Sequence, residues 1–232
     1  GKYVEIVHEL PQNFSGAENL LAMYGYSFQI YFDFSGYSDI AIGIALMLGY
    51  RLKENFENPY TSTNVTAFWR KWHISLSSWL KDYIYIPLGG NRKGEFNTYL
   101  FLLITMLVGG FWHGADWRFV FWGLAHGLAL AFHKAWRQLF PKENNSHWAR
   151  IASMAITFHF VAFCWIFFRA TSFGSAFASI EQIVFHTKWQ DFTGFWVSRS
   201  EMGILLFIAS IIAFFPPKIK EKLFQEIQIL PT

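Results

Sequence analysis

The chain has 232 residues; 53% are hydrophobic and 21% aromatic, while only 15% are charged, against about 25% charged in a soluble domain. The apolar residues fall in blocks, which excludes an ordinary soluble domain and points to a protein that crosses a membrane several times. The net charge of +3 comes from basic residues placed between those blocks, a pattern of loops facing anionic lipid or the cytoplasm that argues against a nucleic-acid partner.

The single cysteine, Cys164, excludes an intrachain disulfide and a cysteine-based metal site. Residues 1–16 are polar, and Pro11 with Asn13-Phe14-Ser15-Gly16 marks a loop running into a helix start. Residues 17–32 and 36–50 are apolar runs, each shorter than the ~20 residues of a perpendicular span. They form either two short tilted helices or one long element broken at Asp33-Phe34-Ser35-Gly36. Carboxylates at membrane depth are unusual, so Asp33 and Asp39 either belong to a site or, with Ser35, cap the following helix.

After a loop ending in Asn55-Phe56-Glu57-Asn58-Pro59-Tyr60, Ser62 or Thr63 can cap a helix over 64–83. Its Phe68, Trp72, Leu76, Trp79 and Tyr83 recur at helical spacing, with Arg70, Lys71, Ser78, Lys81 and Asp82 largely off the stripe. That pattern predicts an amphipathic helix lying in the membrane interface, with His73 and Ser77 one turn apart at the stripe's edge. Pro87-Leu88-Gly89-Gly90-Asn91 forces a turn.

Residues 99–112 and 117–132 are apolar and individually short, and His113-Gly114-Ala115-Asp116 divides them. A break at membrane depth is tolerated where protein or a water-filled cavity covers the freed backbone, so His113 is expected to line a cavity. His126 and His133 share one helical face and are read as structural. Residues 134–150 read as a polar loop, 151–168 as a full span, 172–186 as a weaker amphipathic helix and 202–215 as a last apolar run before Pro216-Pro217. Loop 51–98 holds seven Lys/Arg and 133–150 four, and the tail adds Lys218, Lys220 and Lys222. The positive-inside rule puts these on the cytoplasmic side and 169–201 outside, which requires residues 99–132 to enter the membrane and return, turning near His113.

Two histidines directly following tryptophans therefore stand out. A neutral imidazole, with an unperturbed pKa of ~6.5, is suited to take a proton from an attacking hydroxyl near neutral pH. No Gly-x-Ser-x-Gly elbow supports a serine mechanism. Two other readings are open: a b-type haem protein using His113 and His126 as axial ligands, and a transporter with broken helices.

The blocks Gln29-Ile30-Tyr31-Phe32-Asp33-Phe34-Ser35-Gly36-Tyr37-Ser38-Asp39, Asn55-Phe56 with Pro59-Tyr60, Phe68-Trp69-Arg70 with Trp72-His73-Ile74-Ser75-Leu76, Tyr85-Ile86-Pro87-Leu88-Gly89-Gly90-Asn91-Arg92 and Gly109-Gly110-Phe111-Trp112-His113-Gly114 occur in this order. Together they resemble the membrane-bound O-acyltransferase family, in particular its alginate O-acetyltransferase-like bacterial branch, over about residues 15–140. The resemblance implies an all-α, polytopic protein integral to the bacterial inner membrane, with tilted or broken helices. It implies His113 as the catalytic residue and His73 as the second signature position, with Asp33, Ser35, Asp39, Asn55, Trp72, Ser77 and Trp112 as candidate substrate-binding residues. No metal or bound cofactor is expected. The acyl donor, acetyl-CoA or an acyl carrier, would come from the cytoplasmic side. The acetyl group would go to a hydroxyl of a cell-surface polysaccharide, directly or through a periplasmic or extracellular acyltransferase partner. Family members carry further helices before the part matching Ser15, so residues 1–232 are expected to form one membrane domain resembling the C-terminal half of a longer protein.

Overall fold

A computed structural model describes residues 1–141 and 146–215, which are helical apart from turns, loops and one antiparallel bridge between Phe56 and Trp72. The all-helical expectation holds for these residues. Pro216, Pro217, Lys218, Lys220 and Lys222 lie outside them, as does Lys142.

Helix α1 (Lys2–Glu9) and a 3-10 turn at Pro11–Asn13 lead into α2 (Gly16–Met47). Ser15 starts α2 with a capping box: its hydroxyl accepts from the Glu18 N–H at 3.3 Å, and the Glu18 carboxylate accepts from the Ser15 N–H at 3.0 Å. The 32 residues of α2 extend about 48 Å at 1.5 Å per residue. Of the two alternatives the single long element is the correct one, but it is not broken at Asp33–Gly36, and neither Asp33 nor Ser35 caps a helix. Asp, Ser and Gly weaken a helix interior by at most about 1 kcal/mol each; α2 packs against α1, α8, α9, α10 and α11, while Tyr37, Ile40, Ile44 and Met47 toward its C-terminal end are exposed. Ser35 Oγ donates to the Phe32 carbonyl within the helix at 3.4 Å.

The helix expected over 64–83 is the second correction. Asn64, not Ser62 or Thr63, caps α3 (Val65–Lys71), its Oδ1 accepting from the Ala67 N–H at 2.7 Å. The chain then leaves the helix at Trp72 and His73 before α4 (Ile74–Leu80), a wider π turn over Lys81–Tyr85 and the short α5 (Ile86–Leu88). The expected stripe is accordingly split: Phe68, Trp72 and Leu76 are buried, while Trp79 and Tyr83 are exposed.

Helices α6 (Glu95–His113) and α7 (Trp117–Leu139) form a tight antiparallel hairpin turning at Gly114-Ala115-Asp116, as the charge pattern predicted. A Cβ on Gly123 would overlap the Met106 carbonyl oxygen and one on Gly110 the Phe119 carbonyl oxygen, so backbone lies directly on backbone. Residues 134–139 continue α7 and 147–150 already belong to α8 (His147–Arg169), so most of the expected 134–150 loop is helix. Then come α9 (Phe173–Phe185), α10 (Trp189–Ser198) and α11 (Ser200–Ala213). Among the described residues α6 and α8 are each long and apolar enough to cross a membrane, and α10 with α11 qualify as one span bent by 104°. The core where α2, α3, α7 and α8 meet is mostly aromatic, built on Tyr31, Tyr60, Phe68, Trp69, Trp72, Trp122, Phe158 and Trp165.

Candidate active site

His73 sits where α3 and α4 part, and its backbone is left-handed at φ 44°, ψ 57°. Histidine is one of the few non-glycine residues enriched there, and such conformations persist only where surrounding contacts fix them. The fixing contacts come from the preceding loop. Glu57 N–H donates to the Lys71 carbonyl at 3.0 Å, and Ile74 N–H donates to the Asn55 carbonyl at 3.0 Å. The Asn55 side chain also accepts from the Ser75 N–H at 3.1 Å and donates to Ser38 Oγ at 3.4 Å. The half-buried imidazole then packs edge-on against Phe34 at 4.7 Å between centroids.

His113 is the last residue of α6. Its half-buried ring meets Trp112 at 5.0 Å, Phe168 at 5.0 Å and Trp122 at 5.2 Å between centroids. Trp112 also packs on His73 at 6.1 Å, so one exposed indole touches both imidazoles. Asp116 closes the turn, accepting from the Arg118 N–H at 2.8 Å and pairing with its guanidinium at 2.7 Å. Hydrogen bonds from Arg118 hold the Asp116 carboxyl below the usual carboxylate range.

Hydrogen bonding separates these two histidines from others in the helices. His8 and His159 each place Nδ1 2.7 Å from a carbonyl one turn back, His133 places Nδ1 2.8 Å from the Thr66 hydroxyl, and His126 Nδ1 accepts from the Trp69 indole at 3.2 Å. Among the described residues neither His73 nor His113 has a side-chain hydrogen bond. Their ring nitrogens are left for something else.

A cavity of about 820 Å³ lies between α3, α4 and the α6–α7 hairpin and is lined by Ile74 but by neither His73 nor His113, so the cavity expected at His113 is not this one. Ser77 lines it, as do Arg70, Lys81, Lys134 and Arg137. The Ser77 hydroxyl is already donated to the Trp72 carbonyl at 3.0 Å. Trp72 itself is 4% exposed, packed among Phe56, Phe68 and Trp165, and so holds the core together without facing a ligand. Asn55 braces the backbone of His73. Asp33 and Asp39 are exposed on α2, and Ser35 bonds within it. The structure thus gathers His73, His113 and Trp112, with Ser77 on the adjoining cavity, and leaves Asp33, Ser35 and Asp39 outside the group.

Phe34, Trp122 and Phe168 complete the wall and were missed by sequence reasoning, since nothing in their spacing distinguishes them from other core aromatics. The residues do not fit the haem alternative, since the Trp122 indole packs against both His113 and His126 where a porphyrin would have to lie.

Comparison with known proteins agrees with this geometry. Residues 11–177 match the family model described as MBOAT, membrane-bound O-acyltransferase family. A probable alginate O-acetylase AlgI of Pseudomonas putida is 50% identical over 159 residues, which is 68% of this chain and 32% of that protein. A peptidoglycan O-acetyltransferase of Helicobacter pylori is 49% identical over 159 residues, 68% of this chain and 30% of the relative. A teichoic acid D-alanyltransferase of Bacillus subtilis is 35% identical over 167 residues, 67% of this chain and 42% of the relative. The chain therefore spans about a third of the length of the curated relatives it matches. With the family match running through the helical hairpin and both Trp-His pairs, this chain belongs to the membrane-bound O-acyltransferase family.

Proposed function

We propose that this chain carries the reaction centre of an O-acyltransferase of the bacterial inner membrane. It moves an acetyl group from a thioester donor on the cytoplasmic side, acetyl-CoA or an acyl carrier, to a hydroxyl on the way to a cell-surface polysaccharide. Delivery is direct or through a periplasmic or extracellular acyltransferase. The observation that carries this reading is the pair of half-buried imidazoles, His73 and His113, that share Trp112 and have no hydrogen bond of their own. His113 takes the proton of the acceptor hydroxyl as it attacks the thioester carbonyl, and His73 positions donor or acceptor. The cavity lined by Ile74 and Ser77, just past His73 in the chain, supports a phosphate-bearing donor, since its Arg70, Lys81 and Lys134 suit phosphates and its Leu102, Met106 and Leu130 suit an aliphatic arm. Relatives named as acetylating alginate or peptidoglycan support a polysaccharide acceptor.

The test is acetylation of surface polymer in cells, at matched membrane abundance of the intact protein. His113→Ala is expected to slow transfer 10²–10⁴-fold, about 3–5 kcal/mol of barrier. His73→Asn should keep part of the activity, because an amide still hydrogen-bonds but is no base. A His113→Ala protein working at the parental rate sinks the assignment.

A further inference from the structure

Behind His113 the aromatic core contains polar hydrogens that have nothing to bond. Among the described residues Trp122, 1% exposed, has no partner for its Nε1–H, and His126, 0% exposed, has none for its Nε2. The state of His126 is fixed by a neighbour. Because the Trp69 indole donates to its Nδ1 at 3.2 Å, Nδ1 carries no hydrogen and the neutral ring carries it on Nε2. Trp122 and His126 are therefore two buried N–H donors, on rings 4.9 Å apart, and Trp122 lies 5.2 Å edge-on to His113. Trp165 Nε1 and Ser62 Oγ are also buried without partners, but neither residue makes a ring contact with His113. A buried donor with no acceptor is a defect that folded chains avoid, and it is retained where a ligand supplies the acceptor.

We propose that Trp122 Nε1–H and His126 Nε2–H form the oxyanion-stabilising pair of this active site, and that their missing acceptor is the carbonyl oxygen of the donor thioester. The proposal rests on the acyl-transfer reading above. The hydroxyl oxygen of the acceptor bonds to the carbonyl carbon while its proton passes to His113. The carbonyl π electrons move onto oxygen, where the two N–H groups meet the developing charge. The C=O bond then re-forms, the C–S bond breaks, and the departing thiolate takes the proton back from His113. An ester and a free thiol result, with nothing oxidised or reduced. Trp69 acts at one remove: it lines the donor cavity and its N–H sets the His126 tautomer. Donors fixed in a dry site before the reaction contribute more than the same groups in water, because they need no reorientation as charge develops.

The decisive variant replaces Trp122 by β-(3-benzothienyl)alanine, which keeps the bicyclic shape and substitutes sulfur for the N–H. In the intact protein, acetate incorporation into surface polymer at matched abundance should fall roughly 10²–10³-fold, the range for loss of one oxyanion donor. The melting temperature in detergent should stay level or rise, since the variant removes an unsatisfied donor and nothing else. Trp122→Phe also lacks the N–H and should be as slow as the isostere, although it leaves a cavity and melts lower. An isostere or Trp122→Phe protein within about threefold of the parental rate overturns the proposal. So does an isostere whose melting temperature falls together with its rate, the behaviour of a residue needed only for packing. His113→Ala measured alongside keeps the two assignments apart. An inactive His113→Ala beside a fully active isostere sinks the oxyanion pair alone, and a fully active His113→Ala sinks the acyl-transfer centre.

Discussion

At His73 the positioning role proposed above coincides with a backbone constraint. Its φ of 44° lies in the left-handed region, where an L residue other than Gly, Asn or Asp is held at a penalty of about 1–2 kcal/mol. The bonds from Asn55 and Glu57 keep it there and aim the ring past Phe34 toward Trp112. His73→Asn should therefore fold with little loss, since Asn visits this region readily. His73→Val should lower stability by about 1–2 kcal/mol more, because a β-branched residue is an outlier at positive φ. Denaturant or thermal midpoints of the two variants in detergent check this, and equal midpoints would remove the strain argument. His73 stands out in the sequence through its Trp-His pairing on a basic aromatic stretch. Its left-handed backbone does not, because the cause lies in residues 55–57, and no local propensity at 72–73 breaks the 3.6-residue period.

At the scale of the elements, the α6–α7 hairpin sets the distance between His113 and Trp122. It brings His113 at the end of α6 against Trp122 in the second turn of α7. That approach requires Gly123, whose added Cβ would overlap the Met106 carbonyl, a backbone atom with no room to swing away. Gly123→Ala should destabilise the protein by about 1–3 kcal/mol through overpacking and lower activity with it. Gly36→Ala, within α2 and with nothing inside 4 Å of its Cβ, should be neutral or stabilising by up to about 1 kcal/mol. Equal melting temperatures for the two variants would contradict close backbone packing. The hairpin could be read in advance because Gly114 and Asp116 interrupt two apolar runs at a polar centre. The continuity of α2 through Asp33–Gly36 could not, because Asp-Phe-Ser-Gly has the composition of a break although each of these residues costs a helix interior at most about 1 kcal/mol.

For the whole molecule the hairpin also fixes which ends share a side of the membrane. The 19 residues of α6 rise about 28 Å, close to the ~30 Å of a hydrocarbon core. Lys93, just before α6, and Ala115, in the turn after it, therefore lie toward opposite faces. Helix α7 returns the chain, bringing Lys134 and Arg137 to the same end as Arg92 and Lys93. By the positive-inside rule, basic residues at one end and Ala115-Asp116 at the other would place Lys93 on the cytoplasmic side. A donor bound between Lys81 and Lys134 would then approach from that side, and His113, at the opposite end of α6 from Lys93, would lie nearer the outer face. Native Cys164 is 1% exposed and should remain silent to a thiol reagent. In intact cells a cysteine at Lys93 should resist an impermeant maleimide until the membrane is opened, and one at Ala115 should react at once. The opposite pattern would place the donor cavity outside, where neither CoA nor an acyl carrier is available, and the direction of transfer would have to be reversed.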